Sequence, residues 1–219
     1  MNRVILLLFL CMFSLSAQAL EGYVEALLGS VDVEGVETGT YTSTETGTMS
    51  GALKYGSTLG LGLEVGLRNF EEHNVLRASL SWHFAGAELD SASITTNGGS
   101  ELASGSYVVS SAELKSVGLN FDNDIHVVLA NLYYELPIGM DLFPYVGLGL
   151  GVADVENADG TSAAGAVSLG LRIERPDETY WALRYQRFAI GSITDKLGIT
   201  YGDIGFDIIT VTVGMNFSL

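Results

Sequence analysis

Cysteine and proline are scarce: 219 residues contain one cysteine, Cys11, and three prolines. A chain that loses Cys11 with its N-terminal segment can form neither a disulfide nor a thiolate metal site. Basic residues are few as well, 10 Lys and Arg against 26 Asp and Glu, for a formal charge of −16. Nucleic-acid binders carry basic patches, so no nucleic-acid partner is expected. Charged residues make up 16%, against roughly 25% in an ordinary soluble domain. Outside the N-terminus no apolar run approaches the ~18 residues of a membrane-spanning helix, which excludes a helical membrane protein. A mean hydropathy of +0.32 excludes a disordered chain.

What is present begins with MNRVILLLFLCMFSLSAQA. Arg3 gives a positive start, Val4 to Leu15 an apolar stretch too short to span a bilayer comfortably, and Ala17-Gln18-Ala19 a small-residue cleavage site. This reads as an export signal over residues 1–19, leaving a mature domain at 20–219.

The mature chain reads with period two almost throughout, the strand signature. In Thr58 to Phe70, Leu59, Leu61, Leu63, Val65 and Leu67 share one face, and Gly60, Gly62, Glu64, Gly66 and Arg68 the other. Ile209, Val211, Val213, Met215, Phe217 and Leu219 alternate with Thr210, Thr212, Gly214, Asn216 and Ser218. Such segments fall at about 22–31, 57–69, 75–86, 125–136, 143–153, 164–174, 179–188 and 206–219. The gaps between them alternate long and short. Eight strands with this alternation predict an all-β fold, a single eight-stranded antiparallel transmembrane β-barrel with short periplasmic turns and long extracellular loops. A soluble barrel would put the aliphatic rows inside. Here the opposite face is small or polar, as a narrow wet lumen requires. Aromatics also gather near segment ends, as interfacial girdles would: Phe70, Trp82, Phe84, Tyr133, Tyr134, Phe143, Tyr145, Tyr180, Trp181 and Phe217.

The stretch LANLYYELPIGMDLFPYVGLGLGVA, residues 129–153, carries Asn131, Tyr133 and Tyr134, then Pro144, Tyr145, Val146, Gly147, Gly149 and Gly151. It resembles the strand–turn–strand unit of the eight-stranded outer-membrane β-barrel family, which includes OmpA-like barrel domains and opacity-type, porin-like surface proteins. Trp181-Ala182-Leu183-Arg184-Tyr185 resembles another strand of that family more loosely. The resemblance implies an outer-membrane location, with membrane lipid and lipopolysaccharide as surroundings. It also implies a closing strand read by barrel assembly machinery, with Phe217 and Leu219 as the assembly signal.

Phasing the strands sends Glu25, Glu64, Arg68, Arg77, His83, Glu135, Arg172, Glu174 and Arg184 into the lumen. Six of them, Glu25, Arg68, Arg77, Glu135, Arg172 and Glu174, belong to the periplasmic half, and Glu64, His83 and Arg184 lie nearer the middle. Charges of both signs in so narrow a space must pair, because an unpaired buried charge costs several kcal/mol. Glu25 with Arg68 and Glu135 with Arg77 are the expected pairs. The network either fills and rigidifies the barrel or gates a narrow pore. His73, His83 and His126 fall at different depths, so they form no common metal site, and no catalytic motif or cofactor-binding pattern accompanies them. An enzyme is therefore not expected.

The long connections are acidic. Glu34, Glu37, Glu45, Glu88, Asp90, Glu101, Glu113, Asp122, Asp124, Asp154, Glu156, Asp159, Asp195 and Asp203 are opposed mainly by Lys54, Lys115 and Lys196. The first two, rich in Thr, Ser and Gly, read as flexible exposed loops. Two functions fit. One is an envelope scaffold, surface antigen or adhesin that meets a host or surface ligand through acidic loops. The other is a narrow channel or conduit for small solutes or hydrophobic ligands.

Overall fold

The structure, a computed structural model, describes residues 20–37, 41–43, 47–70, 75–98, 104–118, 122–136, 138, 141–156, 158–194 and 200–218. Residues 1–19, His73 and Leu219 lie outside this set, and with them the export signal and the last residue of the assembly signal.

In chain order the elements are β1 (Leu20–Val33), β2 (Val36–Glu37), β3 (Tyr41–Ser43), β4 (Gly47–Tyr55), β5 (Thr58–Phe70), β6 (Val75–Ala87), β7 (Leu89–Asn97), β8 (Gly105–Ser110), α1 (Ser111–Ser116), β9 (Asn123–Glu135), β10 (Leu142–Val155), β11 (Thr161–Glu174), β12 (Thr179–Ile190), β13 (Ile193–Thr194), β14 (Thr200–Tyr201) and β15 (Ile204–Ser218). Eight of these close into an antiparallel barrel in the order β1-β15-β12-β11-β10-β9-β6-β5. The last strand pairs with the first from Glu21↔Ser218 to Val33↔Phe206.

The alternation fixes which face is which. Leu59, Leu148 and Leu150 stand 71%, 65% and 72% exposed on the outer wall, as do Leu61, Leu63, Val65, Leu132, Val167, Leu169, Leu183, Ile209 and Val211 in a continuous apolar belt. Such a belt on a closed barrel faces lipid. Trp82, Tyr134, Trp181 and Phe217 lie on it.

The long connections differ from the expected flexible loops. Strands β2, β4, β7 and β8 form a sheet, with β3 paired to β4. Only Gly56 and Ser57 separate β4 from β5, and only Glu88 separates β6 from β7. The β4·β7 ladder therefore continues the β5·β6 ladder past the rim, by nine residues or about 30 Å of strand. The Thr-rich composition favours this, since β-branched residues suit a pleated surface. Helix α1 follows β8, capped by a reciprocal pair: Glu113 N–H donates to Ser110 Oγ, and the Glu113 carboxylate accepts from the Ser110 N–H at 2.9 Å. Asp122 ties this assembly to the rim by accepting the Leu89 N–H at 3.0 Å and pairing with Lys115 at 2.7 Å.

Candidate functional site, the barrel interior

The interior is built in three layers. At the short-turn end are the charges and their tyrosines. Arg68, Arg77, Arg172, Arg184, Glu25, Glu64 and Glu135 are all 0–1% exposed. A neutral polar layer follows: Ser79, Ser81, His83, Asn131, Ser168, Gln186, Thr210 and Thr212. The long-loop half is apolar, with Val31, Val127, Leu129, Phe188, Phe206 and Ile208 at its centre. Phe188 and Phe206 stack there at 4.5 Å. This corrects the expectation of a wet lumen lined by small and polar residues. Half of the interior is a hydrophobic core, whose central side chains, Val31, Val127, Leu129, Phe188, Phe206 and Ile208, are all buried. An eight-stranded interior is just wide enough for its own side chains.

Arg184 on β12 is the hub of the charged layer. Its Nη1 donates to Glu64 Oε2 at 2.7 Å and to the Tyr133 hydroxyl at 3.3 Å, Nε donates to the Tyr145 hydroxyl at 2.9 Å, and Nη2 donates to Glu25. Glu64 also accepts from Tyr23 at 2.7 Å and from Tyr133 at 3.0 Å. Glu25 accepts from Arg77 at 2.6 Å and Tyr180 at 2.8 Å. Arg77 bridges to Glu135 at 2.7 Å, and its guanidinium lies 4.6 Å from the Tyr133 ring centre and 5.0 Å from that of Tyr23, a cation–π arrangement. Nearer the mouth, Arg68 reaches Glu135 at 3.4 Å, Glu21 at 3.9 Å and Glu174. Arg172 also pairs with Glu174 and stacks over Tyr180 at 4.0 Å. Buried guanidinium groups are costly unless several acceptors surround them, and here each has them.

The sequence-predicted lumen residues thus all face inward, with Glu174 partly open at the mouth, but the pairing differs. Glu135 meets Arg77 as expected. Glu25 does not serve Arg68: it is held by Arg77 and Arg184. The register explains this. Glu25 lies opposite Glu64 on β5, whereas Arg68 lies opposite Glu21, four residues lower. His83 sits above the charges, its Nε2 3.0 Å from Ser81 Oγ and its ring edge-on to Phe188 at 5.1 Å. His126 lies on β9 outside the lumen, against Trp82 and Phe84.

Four tyrosines went unassigned to the lumen. Tyr133, Tyr145 and Tyr180, read as girdle residues, are buried, as is Phe143. Tyr23, not singled out by its sequence position, joins them. Each tyrosine ring covers a glycine on the neighbouring strand: Tyr23 over Gly66, Tyr133 over Gly147, Tyr145 over Gly170 and Tyr180 over Gly214. A Cβ at any of these glycines would overlap the ring. The signal was in the phase: Tyr133 stands two residues from Glu135 and Tyr23 two from Glu25, hence on the same face. Among the described residues no group of three His, Cys, Asp or Glu side chains comes close enough to hold a metal ion.

Comparison places this architecture. Residues 5–217 match the family described as outer membrane protein beta-barrel domain. Among solved structures, the outer membrane protein OprG from Pseudomonas aeruginosa aligns with a TM-score of 0.51 at 14% identity, covering 92% of this chain and 98% of that one. Neisserial surface protein A aligns with a TM-score of 0.49 at 14% identity, covering 89% and 96%. AlkL aligns with a TM-score of 0.49 at 19% identity, covering 93% and 94%. No curated protein matches in sequence.

Proposed function

Since the chain belongs to the outer membrane protein β-barrel domain family, we propose that it serves in the outer membrane as a non-enzymatic surface protein, a closed barrel holding a β-sheet platform outside the cell. The observation that carries this reading is the packed interior. A conducting pore leaves its lining accessible to water, yet Arg77, Arg172 and Arg184 are each 0% exposed, with Phe188 and Phe206 equally buried above them. The platform offers what the interior does not, namely exposed surface. Ile94, Tyr107 and Val108 stand open on β7 and β8, among the acids Glu37, Glu88, Asp90 and Glu113.

In this reading residues 1–19 are an export signal cleaved after Ala19, the wall contacts lipid and lipopolysaccharide, and assembly machinery reads the closing strand. The experiment pairs two measurements on one protein. Planar-bilayer recording of the refolded mature chain gives no current above the lipid baseline. Cells displaying the protein adhere to an epithelial monolayer, and lose adherence when β4 and β7 are replaced by a tight turn while the folded band on unboiled gels persists. Steady conductance with unchanged adherence overturns the proposal.

A second reading rests on the apolar layer around Val31, Leu129 and Phe206. Such a layer would accept a hydrophobic solute if the packing opened, making the barrel a conduit. Uptake of a labelled alkane or arene by expressing cells, above that of cells lacking the protein, would favour it.

A further inference from the structure

The interior charges are not balanced at the short-turn mouth. Four arginines, Arg68, Arg77, Arg172 and Arg184, share five glutamates, Glu21, Glu25, Glu64, Glu135 and Glu174. Glu174 receives both Arg68 and Arg172 on one oxygen, Oε1. Glu21 is the most weakly held of the five: it stands 3.9 Å from Arg68 Nη1, the same nitrogen that Glu174 engages. Glu21 and Glu174 both line a cavity of about 200 Å³ that opens at this mouth, with Arg175 and Glu178 at its edge. Those two cancel in charge, so the surplus carboxylate is not neutralised by the cavity wall.

Strand β1 begins at the same place. Leu20 lies opposite Asn69, and Glu21 lies opposite Arg68 on one side and Ser218 on the other. Leu20 directly precedes Glu21, their Cα atoms about 3.8 Å apart along the strand. While residues 1–19 are attached, the backbone nitrogen of Leu20 is a neutral amide. Cleavage after Ala19, the reading on which this inference rests, hydrolyses that amide. One water is consumed, Ala19 leaves as a carboxylate and Leu20 keeps an ammonium. The new charge appears one residue from the most weakly held carboxylate of the network.

We propose that the α-ammonium of Leu20 is the fifth cation of the interior network, paired with Glu21 and facing Glu174 across the mouth cavity. Removal of the export signal then does more than release the chain. It completes the charge balance of the barrel at the end where β1 and β15 meet, so the matured protein closes more firmly than its precursor.

The test uses the mature chain released by a protease so that it starts at Leu20, refolded into lipid vesicles. The α-amine is converted to a ketone by selective transamination, which spares Lys54, Lys115 and Lys196. Unfolding is followed in urea by the band shift on unboiled gels. Loss of the amine lowers the urea midpoint of the wild type by about 0.3–0.5 M and leaves that of Glu21→Gln unchanged. Glu21 is half exposed at the mouth, so this variant keeps its fold. An equal shift in both proteins, or none in either, overturns the inference. N-terminal sequencing of the protein from outer membranes separates the two failures. A start other than Leu20 refutes the cleavage reading, whereas a start at Leu20 without coupling refutes the ion pair alone.

Discussion

Arg184 and Glu64 meet at 2.7 Å across the barrel interior, although β12 and β5 are separated in the wall by β1 and β15 on one side and by four strands on the other. The bond ties distant parts of the wall together, and it puts the hub of the network on the strand with the loosest family resemblance.

Arg184→Ala leaves Glu25 and Glu64 short of a cation in a dry interior, at a cost of about 3–5 kcal/mol. The urea midpoint for loss of the folded band falls accordingly. Arg68→Ala costs less, because Glu174 and Glu21 near it are partly open to water. Bilayer conductance of both variants stays at baseline. A rise in single-channel current in Arg184→Ala would make the network a gate.

Gly214→Ala places a methyl group against the Tyr180 ring. Overpacking of this kind costs about 1–3 kcal/mol. The double variant Gly214→Ala/Tyr180→Leu recovers part of the loss relative to the two single variants summed. Strict additivity in the midpoints would show that ring and glycine do not act as a unit.

Phe217 lies on the lipid face of the closing strand, opposite Gly22, with its ring where a Gly22 side chain would be. Phe217→Ala removes both the cover over the seam and the aromatic nearest the end of β15. Outer-membrane levels drop and periplasmic degradation products rise on immunoblots of fractionated cells. Unchanged folded yield would show that assembly does not read this side chain.

Single cysteines at Thr48 or Asn97, on the β4·β7 extension, label with impermeant maleimide on intact cells. One at Asp177, in the tight turn between β11 and β12, labels only after the outer membrane is opened. Beyond Cys11 the sequence has no cysteine to compete.

Asp122 carries a pH dependence. Partial burial pushes its carboxyl upward, but the hydrogen bond and charge of Lys115, with the Leu89 N–H, outweigh this and hold it below the usual carboxylate range. A group depressed in the folded state stabilises above its unfolded value and loses that contribution as the pH falls through the folded one. Protease resistance of the β8–α1 segment is thus constant at neutral pH and declines below about pH 4. Asp122→Asn reduces that acid-dependent decline to the part carried by the Glu113 carboxylate, which the Ser110 hydrogen bonds also hold below the usual range.

The barrel was legible because its strands alternate strictly where they face lipid: Leu59 to Leu67 read as a strand, and the small or polar residues opposite them favoured a membrane barrel over a soluble one. The inward charges followed from the same phase. Their partners did not, since pairing depends on the stagger between strands, which puts Glu21 rather than Glu25 level with Arg68. The apolar layer was obscured where both faces are apolar, as in Val127-Val128-Leu129. The adjacent Tyr133 and Tyr134 look alike in sequence yet face opposite sides. The loop sheet was hidden by Gly and Ser, which usually mark turns, even though the threonines between them suit strands.

The layering of the interior has a bearing on how the barrel enters its membrane. Hairpins that insert from the periplasm drive their long-loop ends through the hydrocarbon first, and those ends carry Val31, Val127, Phe188 and Phe206 on the inner face. The guanidinium groups of Arg68, Arg77 and Arg172 travel last and stop in the near half, close to the water they leave. An arginine at the bilayer centre costs about 2.5–3.5 kcal/mol even by the gentlest scales. The gradient from apolar to charged spares three of the four buried arginines that crossing, and their placement at the short-turn ends of β5, β6 and β11 thereby encodes a direction of insertion.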